Sequence, residues 1–266
     1  SSADFIEIAL SGLVGEGDDA IVSTVLMQLS TSVEAYSKEA NRNTYREKLA
    51  DGLWALAQNS KPGSDLQLLF SRAFALSAQT EAQTAHIRAL FNGSAPGLKV
   101  DTDLRWYFLI ALTERGATTK AELDAELAGD KTTAGSLAFE TCLAAMPTSD
   151  AKAYAFNKVL NEEIATSVRS ALIAGFQRPI QGALLEPFVH LYFDNLISVW
   201  ESKSYDPAAK YVTGFYPSWI VKQSTVDLTN TWLEGAGKDS PAVLKKLLKE
   251  SQDGVIRALK VQGLDK

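Results

Sequence analysis

Two histidines, His86 and His190, are the side chains of this sequence best suited to metal binding or proton transfer. A catalytic zinc ion usually has three protein ligands, mostly histidines, and a His-Glu-x-x-His helix supplies two of them in many metallopeptidases. Neither histidine lies in such a motif. Cys142 is the single cysteine, so the sequence excludes an internal disulfide and a zinc site built from several cysteines. We therefore expect no catalytic residue and no metal ligand here.

Glu186 and His190 have the spacing that places two side chains on one face of a helix. A carboxylate and an imidazole could form an acid–base pair or part of a metal site. The simpler interpretation is a local contact on a structural helix, because the neighbouring Phe188, Leu191 and Phe193 are apolar. An independent hydrolase that uses this pair is the weakest of the functions considered.

Asp101, Asp103 and Arg105 cluster at the start of a predicted helix. The acidic residues could suggest a calcium site, but the later ligands of an EF-hand loop do not follow. An acidic side chain at this position is typical of a helix N-cap, where it also faces the positive end of the helix dipole. We interpret the cluster as a cap.

The segment 175–179 is the best candidate for contact with a ligand. Pro179 disfavours helical geometry at Arg178, so this arginine is expected on a connection between two apolar helices. Its planar guanidinium group can bind a carboxylate through two hydrogen bonds, and Gln177 can hydrogen-bond to a peptide backbone. An ordinary solvated turn is the alternative. We select Arg178 and Gln177 as substrate-binding candidates, with Arg169 on the preceding helix as a third.

An aromatic segment follows further along the chain, with Tyr205, Tyr211, Phe215, Tyr216 and Trp219. Aromatic side chains of this density are typical of a core or of a contact between domains. A surface that contacts peptides is the functional alternative.

Apolar residues recur at helical spacing along nearly the whole chain, and no segment shows sustained strand alternation. Short predicted helices, among them 133–145, 182–201 and 218–222, are joined by tight turns. This pattern favours an all-α fold, specifically a superhelical stack of antiparallel helix pairs like the HEAT and armadillo solenoids. We expect a single helical domain. The loop at 92–97 could divide it into lobes 1–91 and 101–266.

The composition is that of an ordinary globular protein, with 46% hydrophobic and 22% charged residues. A net charge of −6 argues against a nucleic acid partner. The absence of a long apolar run argues against a membrane span, and the first residues do not resemble a signal peptide. Together with the single cysteine, these features lead us to expect a cytoplasmic protein.

An ordered series of short motifs is similar to the C-terminal helical domain of M1-family zinc aminopeptidases of the aminopeptidase N type, and most of all to actinobacterial members. The motifs include Asp-Thr-Asp-Leu-Arg-Trp at 101–106 and Leu-Leu-Glu-Pro at 184–187. The others occur in the same order along nearly the whole chain, at 63–65, 72–75, 130–135, 175–177, 192–193 and 257–259.

The resemblance implies a non-catalytic C-terminal cap of an M1 metallo-aminopeptidase that removes N-terminal residues from peptides. Such a cap closes the active-site chamber and limits or contacts the peptide substrate. The zinc cofactor is then expected in a separate catalytic domain, which carries the His-Glu-x-x-His motif. The implied partners are the catalytic and β-sandwich domains of the same parent chain, and peptide substrate. A free-standing helical-repeat scaffold that binds a protein or peptide is the alternative from a different class.

Overall fold

The structure, a computed structural model, describes residues 1–265. Helices account for 75% of the chain, and no strand occurs among the described residues. The predicted all-α class is confirmed, whereas superhelical stacking of helix pairs stays a prediction. The chain divides into two compact units: unit 1 contains residues 1–118 together with those from Val261 onward, and unit 2 contains residues 119–260. The loop at 92–97 therefore lies within unit 1.

Unit 1 is built from six helices and a five-residue π-helical turn at Ser32–Tyr36. The helices are α1 (Ser2–Gly12), α2 (Asp19–Thr31), α3 (Glu39–Asn59), α4 (Asp65–Ser77), α5 (Glu81–Phe91) and α6 (Thr102–Thr113). Local sequence fixes several of their starts. The Ser64 side chain caps α4, Thr80 forms a capping box with Gln83 at α5, and the Asp101 carboxylate accepts from the backbone N–H of Leu104 at α6.

Unit 2 follows with α7 (Lys120–Gly129), α8 (Thr133–Ala145), α9 (Ser149–Asn161), α10 (Thr166–Phe176), α11 (Gly182–Leu185), α12 (Phe188–Ser202), α13 (Tyr205–Gly214), α14 (Gln223–Glu234) and α15 (Ala242–Leu264). The final residues of α15, from Val261, are part of unit 1.

Aromatic packing forms the centre of unit 2. The Phe156 ring on α9 lies 5.1 Å from the Phe215 ring and 5.2 Å from the Phe188 ring, measured between centroids. Phe176, the last residue of α10, packs edge-on against Phe215 at 4.8 Å. Because Phe176 is held in this cluster, the end of α10 has a fixed position, and the connection that follows it starts from a rigid point.

Two predicted helices differ from the structure. The helix expected over 182–201 is two helices, α11 and α12, because Pro187 has no N–H to donate and its ring clashes with the preceding turn. The helix expected over 218–222 is absent, since this segment forms a tight turn in which the Tyr216 carbonyl accepts from the Ser218 N–H at 2.8 Å. The sequence also did not indicate the π-helical turn at Ser32–Tyr36.

Candidate functional site

The connection from α10 to α11 presents two of the three sequence-predicted binding residues. The chain leaves α10 after Phe176, and Arg178 adopts an extended backbone with φ −113° and ψ 101°. This geometry is the one that a following proline favours. Pro179 then begins a single 3-10 turn, Pro179–Gln181, which leads directly into α11.

A fully buried lysine, Lys152 on α9, holds the start of this connection. Its Nζ atom donates to the Ala144 carbonyl at 2.7 Å, to the Gly175 carbonyl at 3.2 Å and to the Phe176 carbonyl at 3.3 Å. These carbonyls belong to the last turns of α8 and α10, where the helix itself provides no donor. A cation is also favoured at the negative end of a helix dipole. Lys152 therefore ties two helix C-termini together beneath the connection.

Side-chain amides hold the rest of the connection. Gln177 Nε2 donates to the carbonyl of Gly214 at 2.7 Å and to that of Tyr216 at 3.3 Å, which attaches the connection to the end of α13. Gln181, which is buried, donates through Nε2 to the Ala145 carbonyl at 2.8 Å. The amide nitrogen of Gln177 is therefore already engaged with the protein backbone.

Arg178 lies between these two anchors, and its side chain is half-buried. Its own backbone is fixed on both sides, because its N–H donates to the Phe176 carbonyl at 2.9 Å and its carbonyl accepts from the Gln181 N–H at 2.8 Å. A guanidinium group is thus carried on a rigid connection rather than on a packed helix face.

Arg169 has a different environment. Its side chain is fully buried, and Nη1 donates to the Val159 carbonyl at 2.7 Å, near the end of α9. Burial lowers the pKa of this guanidinium, and the charge of Glu163 partly opposes that shift. In this arrangement Arg169 offers no surface to a peptide.

Glu186 and His190 do not form the pair that their spacing suggested. Glu186 lies in the turn between α11 and α12, whereas His190 is in the first turn of α12, and both are exposed. Within the described residues no hydrogen bond or ion pair joins them. The structure therefore does not support a proton-transfer pair or a metal site at this position.

The aromatic segment lies mostly in the core. Tyr211, Phe215 and Tyr216 are buried. The hydroxyl groups of Tyr216 and Thr229 are hydrogen-bonded to each other at 2.9 Å. Tyr205 remains 56% exposed and packs edge-on against Trp200. Of the five aromatic residues in this segment, Tyr205 is therefore available for a surface contact, and Trp219 is half-buried.

Sequence reasoning did not select Lys152, although one feature could have identified it. Lys152 follows Ala151 and precedes Ala155 and Phe156 on the face of α9 that is buried. A single lysine on an otherwise apolar helix face indicates a buried cation with dedicated acceptors.

The described part of the chain contains neither a cluster of metal ligands nor a helix that could span a membrane. Within residues 1–265, His, Cys, Asp and Glu side chains nowhere converge in a group of three or more that could hold a metal ion. Among the helices of those residues, none combines the length and hydropathy that a bilayer span requires.

Comparison with known proteins gives two matches. A family model described as the ERAP1-like C-terminal domain matches residues 1–257. The chain is also similar to Aminopeptidase N of Streptomyces lividans, with 35% identity over 268 residues. That alignment covers 100% of this chain and 31% of the relative, so the chain spans less than a third of the relative's length.

Proposed function

The chain belongs to the family of ERAP1-like C-terminal domains, and from this we propose that it is the C-terminal helical part of an M1-type aminopeptidase. The observation that carries the proposal is the alignment with an aminopeptidase N over the full length of the chain. The predicted resemblance to this domain is confirmed. Removal of N-terminal residues from peptides is the activity that we propose for the parent protein.

The residues of this chain do not fit a catalytic zinc ion. The two histidines belong to different units, and among residues 1–265 neither lies in a group of side chains that could hold a metal. We therefore place the zinc ion and the reacting groups in a separate domain of the parent chain. In this proposal the helical part contributes to the enclosure of the active site and to the handling of the substrate, not to bond cleavage.

We further propose that other domains of the parent chain cover part of unit 1. Three large apolar side chains on or just after α1 and α2 are strongly exposed: Ile8 at 71%, Val14 at 72% and Met27 at 65%. Large apolar side chains that are exposed to this degree support a contact surface. The chain matches only 31% of its relative, so the remaining domains of the parent are the partner to which we assign this surface.

Arg178 is the residue that we propose for contact with the peptide. A peptide ends in a carboxylate, which the planar guanidinium group can bind through two parallel hydrogen bonds. Gln177 and Lys152 hold the connection in place and would position Arg178. One charge-assisted hydrogen bond at a partly exposed site is worth roughly 1.5–3 kcal/mol.

The test is Arg178→Ala in the parent enzyme, assayed on an aminoacyl arylamide and on a peptide of about ten residues. We expect kcat/KM on the long peptide to fall about ten- to a hundredfold, because each 1.4 kcal/mol corresponds to a factor of about ten. Turnover of the arylamide, which has no distant carboxylate, should be unchanged. The control is Arg257→Ala, which removes an exposed arginine that pairs with Asp253 on α15. Equal kinetics of Arg178→Ala on both substrates would contradict the proposed contact.

A further inference from the structure

Unit 1 contains a partly enclosed cleft of about 440 Å³ between α3, α4 and α5. Its volume is within the range of small-molecule binding sites. Residues of the loops at 60–62 and 94–96 form part of its wall. The residues that line the cleft are Trp54, Ala57, Gln58, Ser60, Pro62, Gln67, Ser71, His86, Ala89, Leu90, Ser94, Ala95 and Pro96. None of the residues assigned above to substrate handling is among them.

The wall formed by the two loops is held rigidly. The side chain of Gln67, which is buried, accepts from the Gly63 N–H at 2.8 Å and donates to the Pro96 carbonyl at 3.1 Å. Gly63 and Gly97 both have positive φ, at 78° and 77°, and they meet backbone to backbone. A Cβ atom on Gly97 would lie 2.6 Å from the Gly63 nitrogen, so only glycine allows this approach. The cleft is therefore preformed.

Three serine residues line the cleft, and the hydroxyl groups of two of them are already engaged. Ser60 donates to the Leu56 carbonyl at 2.8 Å, and Ser94 donates to the Ala89 carbonyl at 2.7 Å. Ser71 on α4 is 1% exposed, and its Oγ has no hydrogen-bond partner among the described residues. A buried hydroxyl without a partner is costly, so this one is suited to a group that enters the cleft.

Two aromatic side chains, Trp54 and His86, also line the cleft. The His86 imidazole stacks on the Trp54 indole, with centroids 4.5 Å apart and an angle of 14° between the planes. Phe74 lies behind them, 4.9 Å from Trp54. Aromatic walls of this kind favour flat rings, which pack edge-to-face or offset against them.

We propose that this cleft binds a neutral aromatic ring that carries one hydrogen-bonding group, with the ring against Trp54 and His86 and the polar group at Ser71 Oγ. None of the lining residues is Asp, Glu, Lys or Arg, so an ionised ligand would lose its hydration without gaining a counter-charge. A free phenol or indole and a tyrosine or tryptophan side chain of a peptide share this chemistry, and the experiment below distinguishes the two sources. This binding activity is separate from the proposed cap function.

The experiment titrates the 266-residue chain with phenol, indole, N-acetyltyrosine amide and toluene while the chemical shifts of the Ala89 methyl and the Trp54 ring are followed by NMR. We expect saturable shifts with phenol or indole below about 5 mM. Binding by N-acetyltyrosine amide as well would assign the site to peptide side chains, and its failure would assign it to free small molecules. Absence of saturable shifts with both phenol and indole would overturn the proposal.

Variants test the two halves of the site separately. Ser71→Ala should weaken the binding of phenol roughly fivefold and leave the affinity for toluene unchanged, because toluene has no polar group that could hydrogen-bond to the hydroxyl. Ser77→Ala is the matched control, since this serine is on the same helix, donates to Ala73 and does not line the cleft.

Ala89→Trp should fill the cleft and abolish binding of every ring, whereas Ala85→Trp, one turn earlier, should not. Unchanged phenol affinity in both Ser71→Ala and Ala89→Trp, with the fold intact by circular dichroism, would overturn the site.

Discussion

The ammonium group of Lys152 is buried against the last turn of α8, where it donates a 2.7 Å hydrogen bond to the carbonyl oxygen of Ala144. The same group reaches the Gly175 and Phe176 carbonyls at the end of α10. One side chain therefore satisfies acceptors on two helices just before the connection that carries Arg178. The position of that arginine depends on a residue 26 positions earlier in the sequence.

Replacement of this lysine tests its role directly. Lys152→Met keeps the approximate length of the side chain and removes the donor, so buried carbonyls lose their partner. Each unsatisfied buried group costs about 1–3 kcal/mol, and we expect the free energy of unfolding to fall by about 2–4 kcal/mol in urea denaturation. Lys131→Met, at an exposed position, should change it by less than about 0.5 kcal/mol. An unchanged midpoint for Lys152→Met would show that the three hydrogen bonds contribute nothing net.

A second prediction concerns the close packing of α8 on α10. A Cβ atom at Gly175 would overlap the Thr141 carbonyl oxygen and lie 2.7 Å from the Ala144 Cβ. Gly175→Ala should therefore destabilise the chain by about 1–3 kcal/mol. Gly254→Ala on α15 is the matched control, because nothing lies within 4 Å of the added carbon. There alanine should stabilise the helix by about 0.5–1 kcal/mol. Thermal melts of the two variants should shift in opposite directions, and a shared direction would contradict the packing argument.

Buried tyrosines should make the fold sensitive to alkali. Burial raises the pKa of Tyr192, Tyr211 and Tyr216 above the usual value of about 10. Above about pH 10 the unfolded chain loses phenolic protons that the folded chain retains. The stabilisation is therefore complete below pH 10 and decreases as the pH rises further. With three such groups, the free energy of unfolding should fall by up to about 4 kcal/mol per pH unit, because each group contributes up to about 1.36 kcal/mol.

Denaturation curves at pH 9 to 11 measure this slope. Tyr211→Phe should reduce it by up to about 1.4 kcal/mol per pH unit at the alkaline end of this range, since at most one proton fewer differs between the two states. Tyr205→Phe is the matched control, because this tyrosine is 56% exposed and not part of the buried set. Equal slopes in the two variants would exclude Tyr211 as a source of the alkaline sensitivity.

The isolated chain should not hydrolyse aminoacyl arylamides, even with added zinc. The reason is the donor set: His86 and His190 lie in different units and belong to no group of metal ligands among the described residues. The measurement is arylamine release by the purified 266-residue chain with zinc and with a chelator. Chelator-sensitive turnover well above background would place a catalytic centre inside the chain and contradict the proposed division of roles.

The exposed apolar residues of unit 1 should make the isolated chain self-associate. Ile8 and Val14 are 71% and 72% exposed, and exposed apolar area is an association liability when its partner is absent. The double variant Ile8→Ser with Val14→Ser should raise the monomer fraction in sedimentation experiments and change stability by less than about 1 kcal/mol. Leu191→Ser, at a 44% exposed leucine of unit 2, provides the control. A monomer fraction that does not respond to the double variant would speak against this surface.

Local structure and much of the family assignment follow from the amino-acid sequence alone. Asp101 caps the helix that its cluster was expected to start, and Ser64 and Thr80 cap α4 and α5 in the same way, because a cap is satisfied by backbone N–H groups only two or three residues away. Pro179 likewise fixed the extended geometry at Arg178 through its immediate neighbour. The same short range explains the error at 218–222. Apolar spacing alone predicted a helix there, and the tight turn at Tyr216 and Ser218 prevents it.

Which polar residues face solvent and which lie in the core depends on how the helices pack together. Arg169 and Arg178 are nine positions apart and chemically identical, yet the first is fully buried on α10 and donates to a carbonyl of α9, whereas the second is half-exposed. Gln177 meets Gly214 across 37 positions, and Lys152 meets Gly175 across 23. The unpaired hydroxyl of Ser71 also became visible only with the cleft around it. Burial and pairing of this kind depend on contacts between helices distant in sequence, which the periodicity of a single helix does not encode.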